Sequence, residues 1–312
     1  MAIVSIEAPA AAGLALGRTR PRLTTRLPAA VALLPTILVV LVVYIGCMLW
    51  TVRLSFTSST LLPKLDWFGV TQYTRLFAND RFVTSAENIF IFGVLFISGC
   101  LIIGFLLAVF IDQNVRGEGI FRTIFLYPFS MSFVVTGVAW QWFLNPGLGL
   151  QKLVRDMGFE TFTFDWIVNQ RMAIYTIVIA GLWHGSGLTM AILLAGLRGV
   201  GKDLWKAAKI DGIPTWRVYT SVVLPLLRPM VVTAVVLLAT GVVKLYDLVV
   251  AMTLGGPGIA TEVPAKFVMD HLFERNNIGL GTAAATIMLI TVVIVLAPWV
   301  YVRYVRPQGS HA

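Results

Sequence analysis

Long runs of apolar residues dominate this chain and recur six times along it. Inside each run the apolar residues follow one another directly, without the alternation that marks a half-buried strand. A helix needs about 20 mostly apolar residues to cross the hydrocarbon core of a bilayer. The pattern therefore predicts an all-α membrane protein with spans at about residues 29–50, 88–111, 124–144, 172–197, 222–243 and 285–302.

The composition supports this class of protein. The 312 residues are 58% hydrophobic and 12% charged, with a mean hydropathy of +0.84, whereas a soluble domain is about half apolar and about a quarter charged. Cys47 and Cys100 both lie in apolar runs, so we interpret them as small hydrophobic residues and predict neither a disulfide nor a metal site. His184, His271 and His311 are scattered and form no catalytic motif.

The basic residues predict the orientation of the spans. If the N-terminus is cytoplasmic, the cytoplasmic segments hold 14 of the 24 Lys and Arg residues but only five of the 15 Asp and Glu residues. The whole net charge of +9 then lies on one side of the membrane, as the positive-inside rule expects. Both termini are therefore predicted to be cytoplasmic, and the positive charge requires no nucleic-acid partner.

The ends of the chain are predicted to be tails. Residues 1–28 are rich in Ala and Pro and carry four arginines, and the apolar run that follows is too long for a cleaved signal peptide. The predicted organisation is a disordered cytoplasmic tail at 1–28, a six-span domain at 29–305 and a short cytoplasmic tail at 306–312.

One short motif has the spacing of a nucleotide site. Gly196, Gly201 and Lys202 follow the G-x-x-x-x-G-K pattern of a phosphate-binding loop. However, Asp203 stands where that loop needs Ser or Thr, and the stretch follows a predicted membrane helix instead of a strand. We therefore predict that this chain binds no ATP and that a partner holds any ATP it uses.

The segment between the fourth and fifth spans, residues 203–221, predicts two short helices joined by a bend. Asp203 suits the N-cap of the first helix, Gly212 can take the left-handed conformation that ends it, and Pro214 suits the first turn of the second. Small alanines and basic side chains favour docking onto an acidic protein surface. From the residues alone, an amphipathic loop beside lipid headgroups explains the pattern equally well.

This segment resembles the EAA loop of ABC importer permeases. The stretches KAAKIDG, at Lys206 to Gly212, and VVLPLLRP, at Val222 to Pro229, follow the order of that loop. Six residues match its pattern, namely Ala207, Ala208, Asp211, Gly212, Leu224 and Pro225, and Lys206 replaces its glutamate. The resemblance implies that this loop couples the membrane domain to an ATPase subunit.

Three further stretches extend the resemblance over most of residues 30–305, at Arg116 to Pro128, Trp140 to Val154 and Ala251 to Val263. They are similar to the maltose- and glycerol-phosphate-permease-like branch, and most similar to its glucose/mannose-type sugar permeases. The resemblance implies a complex with a second six-span permease, two ATPase subunits and an extracytoplasmic sugar-binding protein. It places the complex in the lipid of a bacterial plasma (inner) membrane, with ATP and Mg²⁺ held by the ATPases and no cofactor bound by this chain.

Six residues in or near the spans are candidates for contact with the solute, because polar groups inside a membrane usually face the bundle interior or a wet cavity. They are Gln141, Trp183, His184, Lys244, Tyr246 and Asp247. Trp183 offers a face on which a sugar ring can stack, and the others offer hydrogen-bonding groups.

Structural interpretations compete with these roles. Gly181 and Gly185 form a G-x-x-x-G face that favours close helix packing in the fourth span. Lys244 and Asp247 are three residues apart, so on one helix they would share a face and form an ion pair. Tyr246 would anchor the helix at the membrane interface.

Two other classes of protein compete with the importer interpretation. A secondary sugar transporter working without an ATPase is expected to show internal repeats and charges at mid-membrane depth, and the sequence shows neither clearly. An intramembrane enzyme needs a catalytic constellation, and none is visible in the spans.

Overall fold

A computed structural model describes residues 23–113 and 115–300, and these residues form helices, turns and loops without any strand. The all-α prediction is therefore confirmed for the described part of the chain. The described residues divide into two compact units between Trp50 and Thr51. The predicted tail at 306–312 and most of the tail at 1–28 lie outside the described residues. The first described helix begins at Leu23, and the predicted boundary at residue 28 stays a prediction.

Fifteen α-helices are present in the described residues. In chain order they are α1 Leu23–Val39, α2 Cys47–Leu54, α3 Thr71–Phe77, α4 Asp80–Asp112, α5 Glu118–Ser130, α6 Phe133–Phe143, α7 Leu150–Asp156, α8 Ala173–Arg198, α9 Lys202–Ile210, α10 Thr215–Val218, α11 Leu224–Leu226, α12 Arg228–Val243, α13 Tyr246–Thr253, α14 Pro264–Met269 and α15 Ile278–Val300. π-helical turns follow α1, α10 and α14, at Val40–Gly46, Tyr219–Val223 and Asp270–Glu274, and a 3₁₀ turn lies at Trp166–Val168.

Three helical stretches of the described chain are long and apolar enough to cross a membrane: Val31–Leu54, Asp80–Asp112 and Ala173–Arg198. Two bent pairs of helices, α5 with α6 and α10–α11 with α12, raise the number to five if each pair is one span. A shorter apolar helix covers Ile278–Ile294. The described part of each predicted span is mostly helical, while the count of six stays a prediction.

The third predicted span, 124–144, consists of two helices where the apolar pattern predicted one. α5 and α6 meet at an angle of 100°, because Met131 is extended and interrupts the helix. The Ser132 hydroxyl then accepts a hydrogen bond from the Val135 N–H (3.2 Å) and caps α6. Pro128 contributes no N–H to the last turn of α5, which weakens the helix just before the break.

The fifth predicted span, 222–243, is also bent. α11 and α12 meet around Leu227, and the two halves of the span form an angle of 71°. Pro229 lies in the first turn of α12, where a residue without an N–H is tolerated, so it starts a new helix instead of continuing the old one.

The centre of the second unit is the contact between α4 and α8, and glycines bring these helices together. A Cβ atom on Gly185 would lie 2.9 Å from the Phe96 ring and 3.0 Å from the Cys100 sulfur, and one on Gly181 would lie 3.0 Å from the Phe92 ring. These distances leave no room for a side chain. The packing interpretation of Gly181 and Gly185 is therefore confirmed.

Two smaller apolar clusters lie at opposite ends of the bundle. At the end where α8 leads into α9, which we call the predicted cytoplasmic end, the buried cluster includes Ile111, Leu197, Ala208 and Tyr219. At the predicted extracytoplasmic end, where α13 leads into α14, another cluster contains Leu76, Phe82, Phe267 and Leu280. The candidate functional residues are distributed between these two ends and the α6–α8 contact.

Candidate functional site

The segment between α8 and α12 forms the predicted helix, bend and helix. α9 ends at Ile210, and Gly212 follows with a φ of +67°, in the left-handed region that favours glycine. The Gly212 N–H donates to the Lys209 carbonyl at 3.3 Å. The Ile213 N–H donates to the Ala208 carbonyl at 3.0 Å. Together these bonds form a Schellman motif, which satisfies the last carbonyls of α9 and fixes the direction in which the chain leaves it.

Two details of the predicted loop are corrected. Gly201 occupies the N-cap position of α9, and Asp203 lies in the first turn, where its charge faces the positive end of the helix. The Lys206 ammonium lies 3.1 Å from the Asp203 carboxylate, but both side chains are largely exposed, so this ion pair adds little stability. Pro214 lies directly before α10 instead of in its first turn, because its backbone is extended with ψ at 138°.

The two alanines of the motif have different environments. Ala207 is exposed, whereas Ala208 is buried in the apolar cluster of the predicted cytoplasmic end. Leu204 and Trp205 pack against the same cluster. Ala208 is therefore required for packing inside this chain, and Ala207 is accessible to another protein.

The exposed side of the segment carries large apolar side chains beside basic ones. Ile210 is 85% exposed and Trp216 is 68% exposed, and Lys206, Lys209 and Arg217 are exposed in the same segment. We call these five residues the loop face. Exposed apolar patches rimmed by polar residues are typical of protein or membrane contact sites. The sequence analysis missed Ile210 and Trp216, although Ile210 is out of phase with the buried positions of α9.

The remaining residues of the motif lie where the loop joins the membrane helices. Asp211 is the exposed C-cap residue of α9. Leu224 and Pro225 belong to α11 and are exposed, just before the 71° bend at Leu227. The loop is thus connected to α12 through a bend and not through one continuous helix.

His184 is the buried member of the predicted solute contacts. It lies on α8, is 5% exposed, and its Nδ1 is 3.4 Å from the Thr136 hydroxyl of α6. Its ring centre is 5.6 Å from that of Phe129 and 4.4 Å from that of Phe133, on the two sides of the α5–α6 break. Packing at the bend therefore explains the burial of His184 without a solute.

Trp183 and Gln141 occupy a more open position. Trp183 is 39% exposed, and its ring meets the Trp140 ring edge-on with 6.0 Å between the centres. Gln141 follows Trp140 on α6 and is exposed. An exposed aromatic face is suited to stacking against a sugar ring, and an exposed amide to hydrogen bonding with its hydroxyls.

Lys244 and Asp247 do not share the helix face that their spacing predicts. α12 ends at Val243 and Lys244 is its C-cap residue, whereas Tyr246 begins α13. Because the helix is broken between them, none of the ion pairs among the described residues joins Lys244 to Asp247. Both charged side chains are exposed, and Tyr246 is partly buried.

α6 contacts both of the other elements that carry candidate residues. A Cβ atom on Gly137 of α6 would lie 2.5 Å from the Ala251 Cβ of α13, so these helices approach closely. Trp140 of α6 meets Trp183 of α8. The structure therefore places all six candidates on α6, α8 and the α12–α13 junction, but it does not unite them in one compact site.

An ionic cluster at the predicted extracytoplasmic end was missed by the sequence analysis. Arg81 Nη2 donates to Glu262 at 2.8 Å and to Asp270 at 2.7 Å, and Lys266 Nζ donates to Asp270 at 2.7 Å. We call these four residues the ionic cluster. Arg81 is 189 positions from Asp270, so no local pattern predicts the contact, and only the spacing of Lys266 and Asp270 carries a local signal.

The ionic cluster compensates charges that are shielded from water. The Glu262 side chain is 2% exposed and that of Asp270 is 10% exposed. Burial alone would raise the pKa of Asp270, but hydrogen bonds from Lys266 and Arg81 outweigh burial and hold this pKa below its ordinary value. The Asp270 carboxylate is therefore charged at neutral pH and depends on its partners.

The segment between α13 and α14 is bonded to the start of α4. The Asn88 side chain donates to the carbonyls of Ala260 and Glu262, at 3.0 and 2.9 Å. The Thr261 hydroxyl donates to the Gly256 carbonyl at 2.8 Å. The turn at residues 255–257 is consequently held in place by side chains on both sides of it.

No metal centre is found in residues 23–113 and 115–300, because no group of three or more His, Cys, Asp or Glu side chains is suitably arranged there.

Comparisons with known proteins agree with this architecture. Residues 100–306, more than half of the chain, match the family of the binding-protein-dependent transport system inner membrane component. A probable ABC transporter permease protein of Pyrococcus horikoshii is 35% identical over 87% of this chain and 94% of its own length. The xylose/arabinose import permease protein of Haloferax volcanii is 30% identical over 87% of this chain and 86% of its own.

A solved structure has the same fold. It is that of a bacterial alginate ABC transporter in complex with an alginate pentasaccharide-bound periplasmic protein, and it contains a chain with a TM-score of 0.76 and 18% identity. The alignment covers 92% of this chain and 98% of that one. Fold and relatives together define the class of protein as the membrane-spanning permease subunit of an ABC transporter. The chain belongs to the family of binding-protein-dependent transport system inner membrane components, which confirms the resemblance carried by the EAA-type loop.

Proposed function

We propose that this chain forms half of the translocation pathway of an ABC sugar importer and couples it to ATP hydrolysis by partner subunits. The observation that carries the coupling role is the loop face, where Ile210 and Trp216 are exposed beside basic residues on a rigid helix–bend–helix. A second six-span permease would supply the other half of the pathway.

ATP and Mg²⁺ belong to two ATPase subunits in this proposal. The Gly196, Gly201 and Lys202 spacing supports no nucleotide site here, since Gly201 follows the membrane helix α8 and not a strand. The loop face would instead sit in a cleft of an ATPase subunit, where Lys209 and Arg217 meet acidic groups and Lys206 stands where the family motif has a glutamate. Closure of the ATPases would then displace α9.

The solute is proposed to be a sugar, as the xylose/arabinose name of one relative suggests. Trp183 and Gln141 are the strongest candidates for contact, because both side chains are accessible on the helices α8 and α6. Lys244, Tyr246 and Asp247 are proposed to line the same pathway from the α12–α13 junction. His184 is proposed to position the α5–α6 bend beside it.

The proposed orientation follows the basic residues, with both termini in the cytoplasm of a bacterial cell and the loop face on the cytoplasmic side. An extracytoplasmic sugar-binding protein would then approach the end that carries the ionic cluster. The turn at residues 255–257 lies at this end and is held rigid by its hydrogen bonds.

Uptake by the complex in proteoliposomes tests the proposal. Radiolabelled xylose, arabinose, glucose and mannose are supplied with the binding protein, and uptake is measured with ATP inside the vesicles or with an ion gradient alone. We expect ATP-dependent uptake of at least one sugar, abolished by Ile210→Asp. Leu61→Asp is the matched control, because Leu61 is 68% exposed outside the loop face. Uptake driven by the ion gradient without ATP would contradict the proposal and indicate a secondary transporter.

A further inference from the structure

Tyr219 lies between the docking segment and a transmembrane helix that is not continuous with it. It belongs to the π-helical turn after α10 and is 8% exposed. Its ring centre is 5.1 Å from that of Trp205 on α9 and 6.4 Å from that of Phe105 on α4. One buried ring thus contacts both the helix that follows α8 and the C-terminal part of α4.

The Tyr219 hydroxyl makes a specific bond to the same end of α4. Gln113, the C-cap residue of α4, donates from Nε2 to this hydroxyl at 3.2 Å. The Asp112 carboxylate also interacts with it. The ring gives non-directional apolar contact with two helices, whereas the hydroxyl fixes one position of the ring relative to the end of α4.

Near Tyr219, an ion pair joins the end of α8 to the start of α5 at the predicted cytoplasmic end of the bundle. Arg198, the last residue of α8, lies 2.6 Å from Glu118, the first residue of α5. Asp112 interacts with both of these charges. The ends of α4 and α8 and the start of α5 therefore form one polar group, and Tyr219 connects it to α9.

From these contacts we infer that Tyr219 is a positioning residue that carries the displacement of α9 into α4. This inference rests on the proposed function, because it assumes that an ATPase subunit moves α9. The loop is continuous with α8 and α12 through the chain itself, but it reaches α4 only through side-chain contacts. Since α4 is the long partner of α8 at the centre of the bundle, displacement of its C-terminal part would change its contact with α8.

The inference is tested with the whole complex in proteoliposomes. Tyr219→Phe keeps the ring and removes only the hydroxyl, so assembly and ATP hydrolysis are expected to persist. The number of sugar molecules imported per ATP hydrolysed should fall about two- to tenfold, the range that follows from the loss of one hydrogen bond. Gln113→Leu removes one of the two partners of this hydroxyl, so it should give a smaller loss, and the double variant should lose no more than Tyr219→Phe alone.

Thr220→Val is the matched control. Thr220 is the next residue, it is exposed, and its hydroxyl donates to the Trp216 carbonyl of its own helix at 3.1 Å. Thr220→Val removes a hydroxyl from the same segment that is bonded within that segment and not to α4. The number of sugar molecules imported per ATP hydrolysed should therefore stay at the wild-type value. The inference would be overturned if Tyr219→Phe left the number of sugar molecules imported per ATP unchanged. It would also be overturned if Thr220→Val lowered that number as much as Tyr219→Phe does.

A second measurement separates this inference from the proposed function. Hydrogen exchange of the purified chain reports the amides at the end of α4, which should exchange faster in Tyr219→Phe than in wild type or in Thr220→Val. If the wild-type complex shows no ATP-driven uptake, the proposed function fails whatever the exchange shows. If uptake is ATP-driven but exchange and import per ATP are both unchanged by Tyr219→Phe, only the inference fails.

Discussion

The two ends of the membrane bundle are held by different kinds of interaction. At the predicted cytoplasmic end, α9 packs on an apolar cluster through Ala208, and Ile210 and Trp216 are exposed. At the predicted extracytoplasmic end, the segment after α13 is fixed by the ionic cluster, whose Glu262 is almost fully buried. The first end presents groups to a partner, whereas the second satisfies its charged groups within the chain.

This difference indicates which end moves. Separating a buried ion pair leaves an uncompensated charge, so the extracytoplasmic segment is strongly held in one arrangement. Apolar contacts have no preferred direction, so α9 can shift on its cluster, whereas Tyr219 keeps a specific bond to Gln113 at the end of α4. The comparison therefore predicts a rigid segment at one end and a displaceable loop at the other.

The largest expected effect comes from breaking the ionic cluster. Arg81→Ala should lower the free energy of unfolding by about 3 kcal/mol, because it leaves the buried Glu262 carboxylate without its partner. Thermal unfolding of the chain purified in detergent measures this. Arg122→Ala, at an exposed position, should change stability by less than about 0.5 kcal/mol. Equal shifts for the two variants would show that the ionic cluster stabilises nothing.

A smaller effect, and one of a different kind, is expected from the loop face. Trp216→Ala should weaken retention of an ATPase subunit by about 2 kcal/mol, close to 30-fold, and leave the unfolding free energy unchanged. Trp67→Ala is the control, since Trp67 is 80% exposed at the other end. Titration of the purified ATPase onto the immobilised permease measures the affinity. If Trp216→Ala and Trp67→Ala lowered the affinity for the ATPase by similar amounts, the loop face would not be the specific docking site for the ATPase.

The bend between α9 and α10 can be tested by glycine substitution. Gly212→Ala should cost about 1 kcal/mol, because an L side chain is strained at a φ of +67°. Gly201→Ala is the matched control, as its φ is −57° and nothing lies within 4 Å of an added Cβ. Chemical denaturation compares the two variants. A larger loss for Gly201 than for Gly212 would contradict the described geometry.

The smallest effect is expected at Lys206. Lys206→Glu restores the residue of the family motif and breaks only an exposed ion pair with Asp203, so stability should change by less than about 0.5 kcal/mol. Retention of the ATPase should increase by up to about fivefold if the cleft presents a basic group, an energy near 1 kcal/mol. The same titration measures it, and a tenfold loss of affinity would show that Lys206 itself contacts the cleft.

The loop between α8 and α12 shows how much of the candidate site is determined by residues that are close together in the sequence. Its helices, the left-handed Gly212 and the match to the family motif all depend on neighbouring residues, and the sequence predicted them. The difference between Ala207 and Ala208 depends on which side of α9 meets Ile111 and Leu197. Those residues lie far away in the chain, so this difference required the structure.

The breaks in the spans and the ionic cluster are features that hydropathy and residue spacing alone do not predict. The apolar run through 124–144 continues across the extended Met131, since hydropathy does not report backbone direction. Lys244 and Asp247 have the spacing of a helix face, yet the helix ends at Val243. Arg81 and Glu262 form a buried pair only because the fold joins the start of α4 to the segment after α13.

Recovery of partner subunits tests the central claim most directly. The tagged chain would be extracted in mild detergent, as wild type and as Trp216→Ala, and the co-purified proteins identified by mass spectrometry. The account predicts an ATPase subunit and a second six-span permease with the wild type, and selective loss of the ATPase with Trp216→Ala. Recovery of the wild-type chain alone, in a detergent that keeps other importers of this family intact, would contradict it.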